Sequence, residues 1–177
     1  MQNKNKKVLI TGTTGLSKAL ANVYNDHSVF CTSRSQSYYL ESVEQWGEQF
    51  LNYDIVFNCA YSELGQIKVL KYFSDRWKND DSKIIVNIGS IVTDYPRSEI
   101  AKERDFFEYR YSKQGLQQAF SDIAKTYKCD LRLINPGPID TDMIKHLDCV
   151  KMNPSQCAQS IRQTVEQTNF KRIDFWE

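Results

Sequence analysis

The sequence has no long hydrophobic run, no excess charge of either sign and no cluster of metal-binding side chains. Its basic start, Met1-Gln2-Asn3-Lys4-Asn5-Lys6-Lys7, is followed only by Val8-Leu9-Ile10. That run is too short for the apolar part of a secretory signal or for a membrane span. A formal net charge of +1 offers no basic face for nucleic acid or for an anionic membrane. The five cysteines (Cys31, Cys59, Cys129, Cys149 and Cys157) are odd in number and scattered, without a Cys-x-x-Cys pair or clustered histidines. This pattern argues against a disulfide framework or a zinc site and predicts reduced thiols in a cytoplasmic protein. No repeat, low-complexity tract or linker interrupts the chain. Its 177 residues are therefore expected to form one domain, 1–177, with a core of its own.

What is present is an alternation of short apolar runs and longer helical patterns. Lys7–Thr11, Ser28–Ser33, Asp54–Cys59, Lys83–Ile88, Asp130–Asn135 and Arg172–Trp176 read as strands. Helical spacing runs through Leu16–Tyr24, through Ile67, Leu70, Phe73 and Trp77, and through Leu116, Phe120, Ile123, Ala124 and Tyr127. Pro154–Glu166 reads as a helix capped by Asn153, with Pro154 at its first position. Continuous apolar strands separated by helices predict an α/β fold, a Rossmann-type doubly wound, mostly parallel sheet covered on both faces. The segment from Gln36 to Tyr53 is too short for a full strand-helix-strand excursion. Tyr38-Tyr39-Leu40 is expected as a short edge strand, and Val43, Trp46, Phe50 and Leu51 suit a helix.

Tyr109 and Lys113 stand four apart in a helical stretch, so they share a face. Chance alone often produces such a pair on a helix surface. An ammonium beside a phenol, however, favours the phenolate and predicts a tyrosine pKa lowered toward neutral. Such a phenol can exchange a proton with a substrate oxygen.

The first strand runs into Thr11-Gly12-Thr13-Thr14-Gly15-Leu16-Ser17. A glycine turn between a strand and a helix lets backbone N–H groups meet a pyrophosphate. The next strand ends in Thr32-Ser33-Arg34-Ser35, with no acid to bind a ribose 2′-hydroxyl. Arg34 with its flanking hydroxyls suits a 2′-phosphate, which favours NADP(H) while leaving NAD(H) possible. A solvated surface arginine is the plainer alternative.

Taken in order, these segments resemble the short-chain dehydrogenase/reductase family. The Thr11–Ser17 turn resembles Thr-Gly-x-x-x-Gly-x-Gly, one residue shorter and with Ser17 for the last glycine. Asn58-Cys59-Ala60-Tyr61 resembles Asn-Asn-Ala-Gly, Asn87-Ile88-Gly89-Ser90 the strand end bearing the catalytic serine, and Tyr109 with Lys113 the Tyr-x-x-x-Lys pair. Asn135-Pro136-Gly137-Pro138-Ile139-Asp140-Thr141 resembles the Pro-Gly segment near the nicotinamide.

The resemblance implies that Tyr109 is the general acid or base, with Lys113 lowering its pKa and Ser90 holding the substrate oxygen. It places Gly12, Thr13, Thr14, Gly15 and Leu16 at the pyrophosphate turn and Ser33 and Arg34 at the adenosine phosphate. Asn58 and Ala60 would line the adenosine side, and Pro136, Gly137 and Thr141 the nicotinamide. It implies an NADP(H)-dependent oxidoreductase acting on a small carbonyl or alcohol, and a homo-oligomer, dimer or tetramer. Pairing would use the helix bearing Tyr109 and the one before Ser90. Phe73, Trp77, Phe106, Phe107 and Phe120 are candidates for that surface or, equally, for the core.

Three departures stand out. The chain is short over Gln36–Tyr53, and only Glu41 could replace the acid that contacts adenine. The fourth catalytic residue, an asparagine, is absent, with Gln66 the nearest polar side chain. The charged stretch from Asp94 to Glu108 is long and could wall the substrate. Beyond Thr141, Met143, Ile144, His146 and Leu147 are expected to face the pocket, His146 as a lid residue. These departures keep two rivals open: an epimerase or dehydratase acting on a nucleotide-sugar, and a dinucleotide-binding sensor without catalysis.

Overall fold

The computed structural model describes residues 5–94, 106–167 and 170–175. Six strands form one sheet: β1 (Lys7–Thr11), β2 (Ser28–Thr32), β3 (Ile55–Asn58), β4 (Ile84–Ile88), β5 (Asp130–Pro136) and β6 (Arg172–Phe175). Their order is β2-β1-β3-β4-β5-β6, and every pairing is parallel. Among the described residues, five α-helices accompany them: α1 (Gly15–Val23), α2 (Val43–Trp46), α3 (Gly65–Trp77), α4 (Phe106–Ile123) and α5 (Pro154–Gln167). This is the expected Rossmann-type architecture. The chain leaves β1 toward β2 on one side and returns to β3 on the other, so a crevice opens at the carboxyl ends of β1 and β3. Among the described residues, no helix is long and apolar enough to cross a membrane.

Side-chain alternation along the strands builds two cores. Val8, Ile10, Ile55, Phe57, Val86, Ile88 and Ile134 face α1 and α5. Leu9, Val56, Ile85, Leu131 and Leu133 face α3, α4 and the 40–50 segment. Both sets are essentially fully buried, which is why the strands read as continuous apolar runs. Asn153 caps α5 as expected: its Oδ1 accepts from the N–H groups of Ser155 (2.9 Å) and Gln156 (3.3 Å).

The shortened segment departs from expectation. Tyr38-Tyr39-Leu40 forms no edge strand; Leu40 starts a 3-10 turn, and α2 is a single turn continued by a 3-10 turn over Gly47–Phe50. With too few residues for a crossover, the chain closes the sheet face with rings instead. Tyr38, Trp46 and Phe50 pack edge-on against one another, and Phe50 reaches Phe30 and Tyr53. Two indole N–H groups fix the segment, Trp46 to the Tyr39 carbonyl (2.8 Å) and Trp77 to the Leu51 carbonyl (3.1 Å).

The aromatic residues considered for an oligomer surface divide sharply. Phe73, Trp77, Phe106 and Phe120 are buried, and only Phe107 is exposed. Phe107 packs edge-on against Tyr111, itself exposed, at a centroid distance of 4.4 Å. Most of the charged stretch after Asp94 lies outside the described residues, as does Trp176.

Candidate active site

The glycine turn is built around Ser17. Its hydroxyl turns inward and donates to the Thr11 carbonyl at 2.9 Å, tying the start of α1 to the end of β1. Gly12 and Gly15 both have positive φ, 99° and 53°. A side chain on Gly12 would begin 2.6 Å from the Ser17 hydroxyl, so the residue that replaces the motif's last glycine fills the space Gly12 leaves open. Thr11 Oγ1 accepts from the N–H groups of Cys59 (2.8 Å) and Ala60 (3.0 Å), which fixes the loop after β3 against the same turn.

A cavity of about 730 Å³ lies over this turn. Its floor is formed by Gly12, Thr14, Gly15, Leu16 and Ser17, and its far wall by Pro136, Gly137 and Thr141. Thr141 reaches back to the turn: a side chain on Gly15 would begin 3.0 Å from its methyl group. Ala60, Ser90, Tyr109 and Lys113 line the same space. The structure therefore gathers the three expected catalytic residues and most of the expected turn residues around one cavity. Thr13, Ser33, Arg34 and Asn58 do not line it. Thr13 and Arg34 are exposed, and Ser33 bonds Ser35 and Gln36. Glu41 is also exposed, and only its backbone carbonyl is engaged, by Lys68. Asn58 is fully buried beneath the cavity, donating to the Gln66 carbonyl (2.7 Å) and to Asn87 Oδ1 (2.9 Å).

Gln66 has a larger part than the sequence suggested. Its side-chain amide donates to the carbonyls of Asn58 (2.8 Å) and Ile88 (3.1 Å). Its Oε1 accepts from Lys113 Nζ at 2.7 Å, and Lys113 also donates to the Ile88 carbonyl at 2.7 Å. Gln66 and Lys113 are only 1% and 2% exposed. The ammonium thus sits among neutral acceptors, and burial lowers its pKa to about 8.

The expected lowering of the Tyr109 pKa is not found: burial pushes the phenol up to about 12, against the lowering effect of a hydrogen bond with Ser90. The physical reason is the direction Lys113 takes. Its Nζ is drawn toward Gln66 and Ile88 and lies 5.3 Å from the centre of the Tyr109 ring.

Two aromatic residues that the motifs do not assign to the site stand beside Tyr109. Tyr61 packs its ring 5.0 Å from that of Tyr109, and Phe106 lies edge-on at 5.9 Å. Tyr61 occupies the place of glycine in the Asn-Asn-Ala-Gly-like segment, and that substitution was the available signal. Phe106 packs on Ile144 and Leu147. Met143 and Ile144 line the cavity as expected, whereas His146, which is exposed, and Leu147, buried against Phe106, lie outside its lining.

The residues fit a dinucleotide. The positive-φ glycines clear the turn for a pyrophosphate at the α1 N-terminus, and the cavity runs from there to Ser90, Tyr109 and Lys113. The parallel sheet and the crevice beside β1 thus define a Rossmann-type architecture.

Comparison with solved structures narrows that architecture to the fold of short-chain dehydrogenases. One from Burkholderia cenocepacia J2315, solved with NADP, matches with a TM-score of 0.79 over 100% of this chain and 90% of its own, at 16% identity. Another, from Sphingobium yanoikuyae with NADPH, gives 0.73 over 96% and 87% at 13% identity. A third, from Leptospira borgpetersenii with NAD+, gives 0.65 over 96% and 91% at 18% identity. No family model matches the sequence, and no curated protein matches it.

Proposed function

We propose that this protein is a short-chain dehydrogenase/reductase-type enzyme that binds a nicotinamide dinucleotide and interconverts a small carbonyl compound and its alcohol. The observation that carries this reading is the meeting of Ser90, Tyr109 and Lys113 on the cavity that also contains the glycine turn. A bound nicotinamide dinucleotide supplies or accepts the hydride. The Gly12–Ser17 turn and the α1 N-terminus receive the pyrophosphate, and Pro136, Gly137 and Thr141 bound the nicotinamide end. Ser90 orients the substrate oxygen. Tyr109 gives that oxygen its proton during reduction and removes one during oxidation. Lys113 spends two N–H groups on Gln66 and Ile88 and keeps one for the cofactor ribose or the Tyr109 oxygen.

NADP(H) is the preferred cofactor in this reading because Arg34 is exposed at the end of β2, beside Ser33 and Ser35. Homo-oligomerisation would rest on the Phe107–Tyr111 face of α4. A non-catalytic dinucleotide sensor is the second reading, and one observation favours it: Lys113 Nζ is held by Gln66 and the Ile88 carbonyl.

The test is to titrate NADPH and NADH separately and then screen aldehydes and ketones against the bound protein. NADPH oxidation dependent on a carbonyl compound supports the enzyme. Tight NADPH binding with no turnover across the screen supports the sensor.

A further inference from the structure

The reacting end of the cavity is lined by aromatic rings. Tyr61 from the loop after β3 and Phe106 from the start of α4 both set their rings against Tyr109, at 5.0 Å and 5.9 Å. All three line the cavity. Ile91 and Ile144 continue this wall with aliphatic side chains. Among the described lining residues, the only charged ones are Lys113, held by Gln66 and Ile88, and Asp142, which is exposed and pairs with Lys145. Among the described lining residues, the charge nearest Tyr109 is thus the Lys113 ammonium, already engaged by Gln66 and Ile88, whereas a flat π-system meets two rings.

Tyr61 also takes up space. It stands where the resembling motif has a glycine, so its ring narrows the approach to Tyr109. Both rings are held by separate packing: Phe106 sits in a small apolar cluster with Ile144 and Leu147, and Tyr61 follows a loop fixed by Thr11. Their spacing is thus set before a substrate arrives. Aromatic pairs at such distances prefer edge-to-face or offset contacts, which a planar ring can make and a puckered ring cannot.

We infer that Tyr61 and Phe106 form an aromatic slot beside Tyr109 that selects aryl carbonyl compounds and their benzylic alcohols. This rests on the oxidoreductase reading for its chemistry, but the slot itself is a binding property. The aryl ring lies against Tyr61 and Phe106, and its carbonyl oxygen faces Tyr109 and Ser90.

The experiment separates the two levels. Ligand-observed NMR measures binding of benzyl alcohol and cyclohexylmethanol, equal in carbon count but differing in planarity, with and without NADP+. In parallel, kcat/KM is measured for benzaldehyde and cyclohexanecarbaldehyde with NADPH. The expected result is an aryl preference of about tenfold, the upper range of an aromatic pair. Tyr61→Leu and Phe106→Leu each collapse that preference toward unity, and Tyr61→Phe retains it. Equal binding of the two alcohols by the wild type, or an aryl preference that survives Tyr61→Leu, overturns the slot. A loss of NADPH affinity in Tyr61→Leu at unchanged aryl preference also overturns it, by assigning the ring to the cofactor. Aryl-selective binding with no turnover of either aldehyde upholds the slot and sinks the reductase reading.

Discussion

Lys113 Nζ and Gln66 Oε1 form a 2.7 Å hydrogen bond in the interior, between the helix that carries Tyr109 and the helix that precedes β4. The bond continues a buried polar chain. Gln66 holds the Asn58 and Ile88 carbonyls, Asn58 holds Asn87, and Asn87 donates to the Arg132 carbonyl at 3.2 Å. One amide thus positions the lysine and stitches β3 to β4 at the cavity floor.

Gln66→Leu removes acceptor and donors together and strands the lysine. The expected cost is about 2 kcal/mol of unfolding free energy, the usual range for leaving buried polar groups unpaired. Urea unfolding checks it. Gln66→Glu has the opposite electrostatic effect: a carboxylate at that site raises the Lys113 pKa and moves the alkaline limb of the activity profile upward.

The depressed Lys113 pKa predicts a pH dependence with a defined sign. Folded, the lysine titrates near 8; its ordinary value is 10.5. Between these values the unfolded chain holds a proton that the folded protein has lost, so stability rises with pH across that window. Below about pH 8 the folded state carries the full cost of a buried ammonium. Comparing wild type with Lys113→Met by urea unfolding at pH 7 and pH 9.5 isolates this effect. The wild type is expected to gain about 2 kcal/mol relative to the variant over that interval.

Arg34 gives a cofactor prediction. Arg34→Ala is expected to weaken NADPH binding about tenfold, in keeping with a charged hydrogen bond to phosphate, while NADH binding stays unchanged. Fluorescence titration of both cofactors checks it, and a preference for NADH in the wild type refutes the role given to Arg34.

Much of this was legible in the sequence because strand burial and motif order are local properties. Val8–Ile10, Ile55–Phe57 and residues 84–86 are apolar on both faces, which a covered parallel sheet explains. Ser90, Tyr109 and Lys113 could be placed because each falls at a strand end or on one helix face. Failures came where the outcome depends on what lies across space. Tyr38–Leu40 has strand-like residues but no room for a strand, so its rings pack into a cluster. Lys113 was expected to serve Tyr109, but the direction of its ammonium is set by Gln66, 47 residues away in sequence. The ring of Tyr61 against Tyr109 joins a β3 loop to α4, and no spacing rule reports such a contact.

The central claim is that Tyr109 is the proton donor and acceptor at this cavity. Tyr109→Phe tests it most directly, measured as NADPH-dependent carbonyl reduction alongside NADPH binding. The expected result is a fall in kcat of about a hundredfold or more with NADPH affinity retained. Turnover by Tyr109→Phe at the wild-type rate would contradict it.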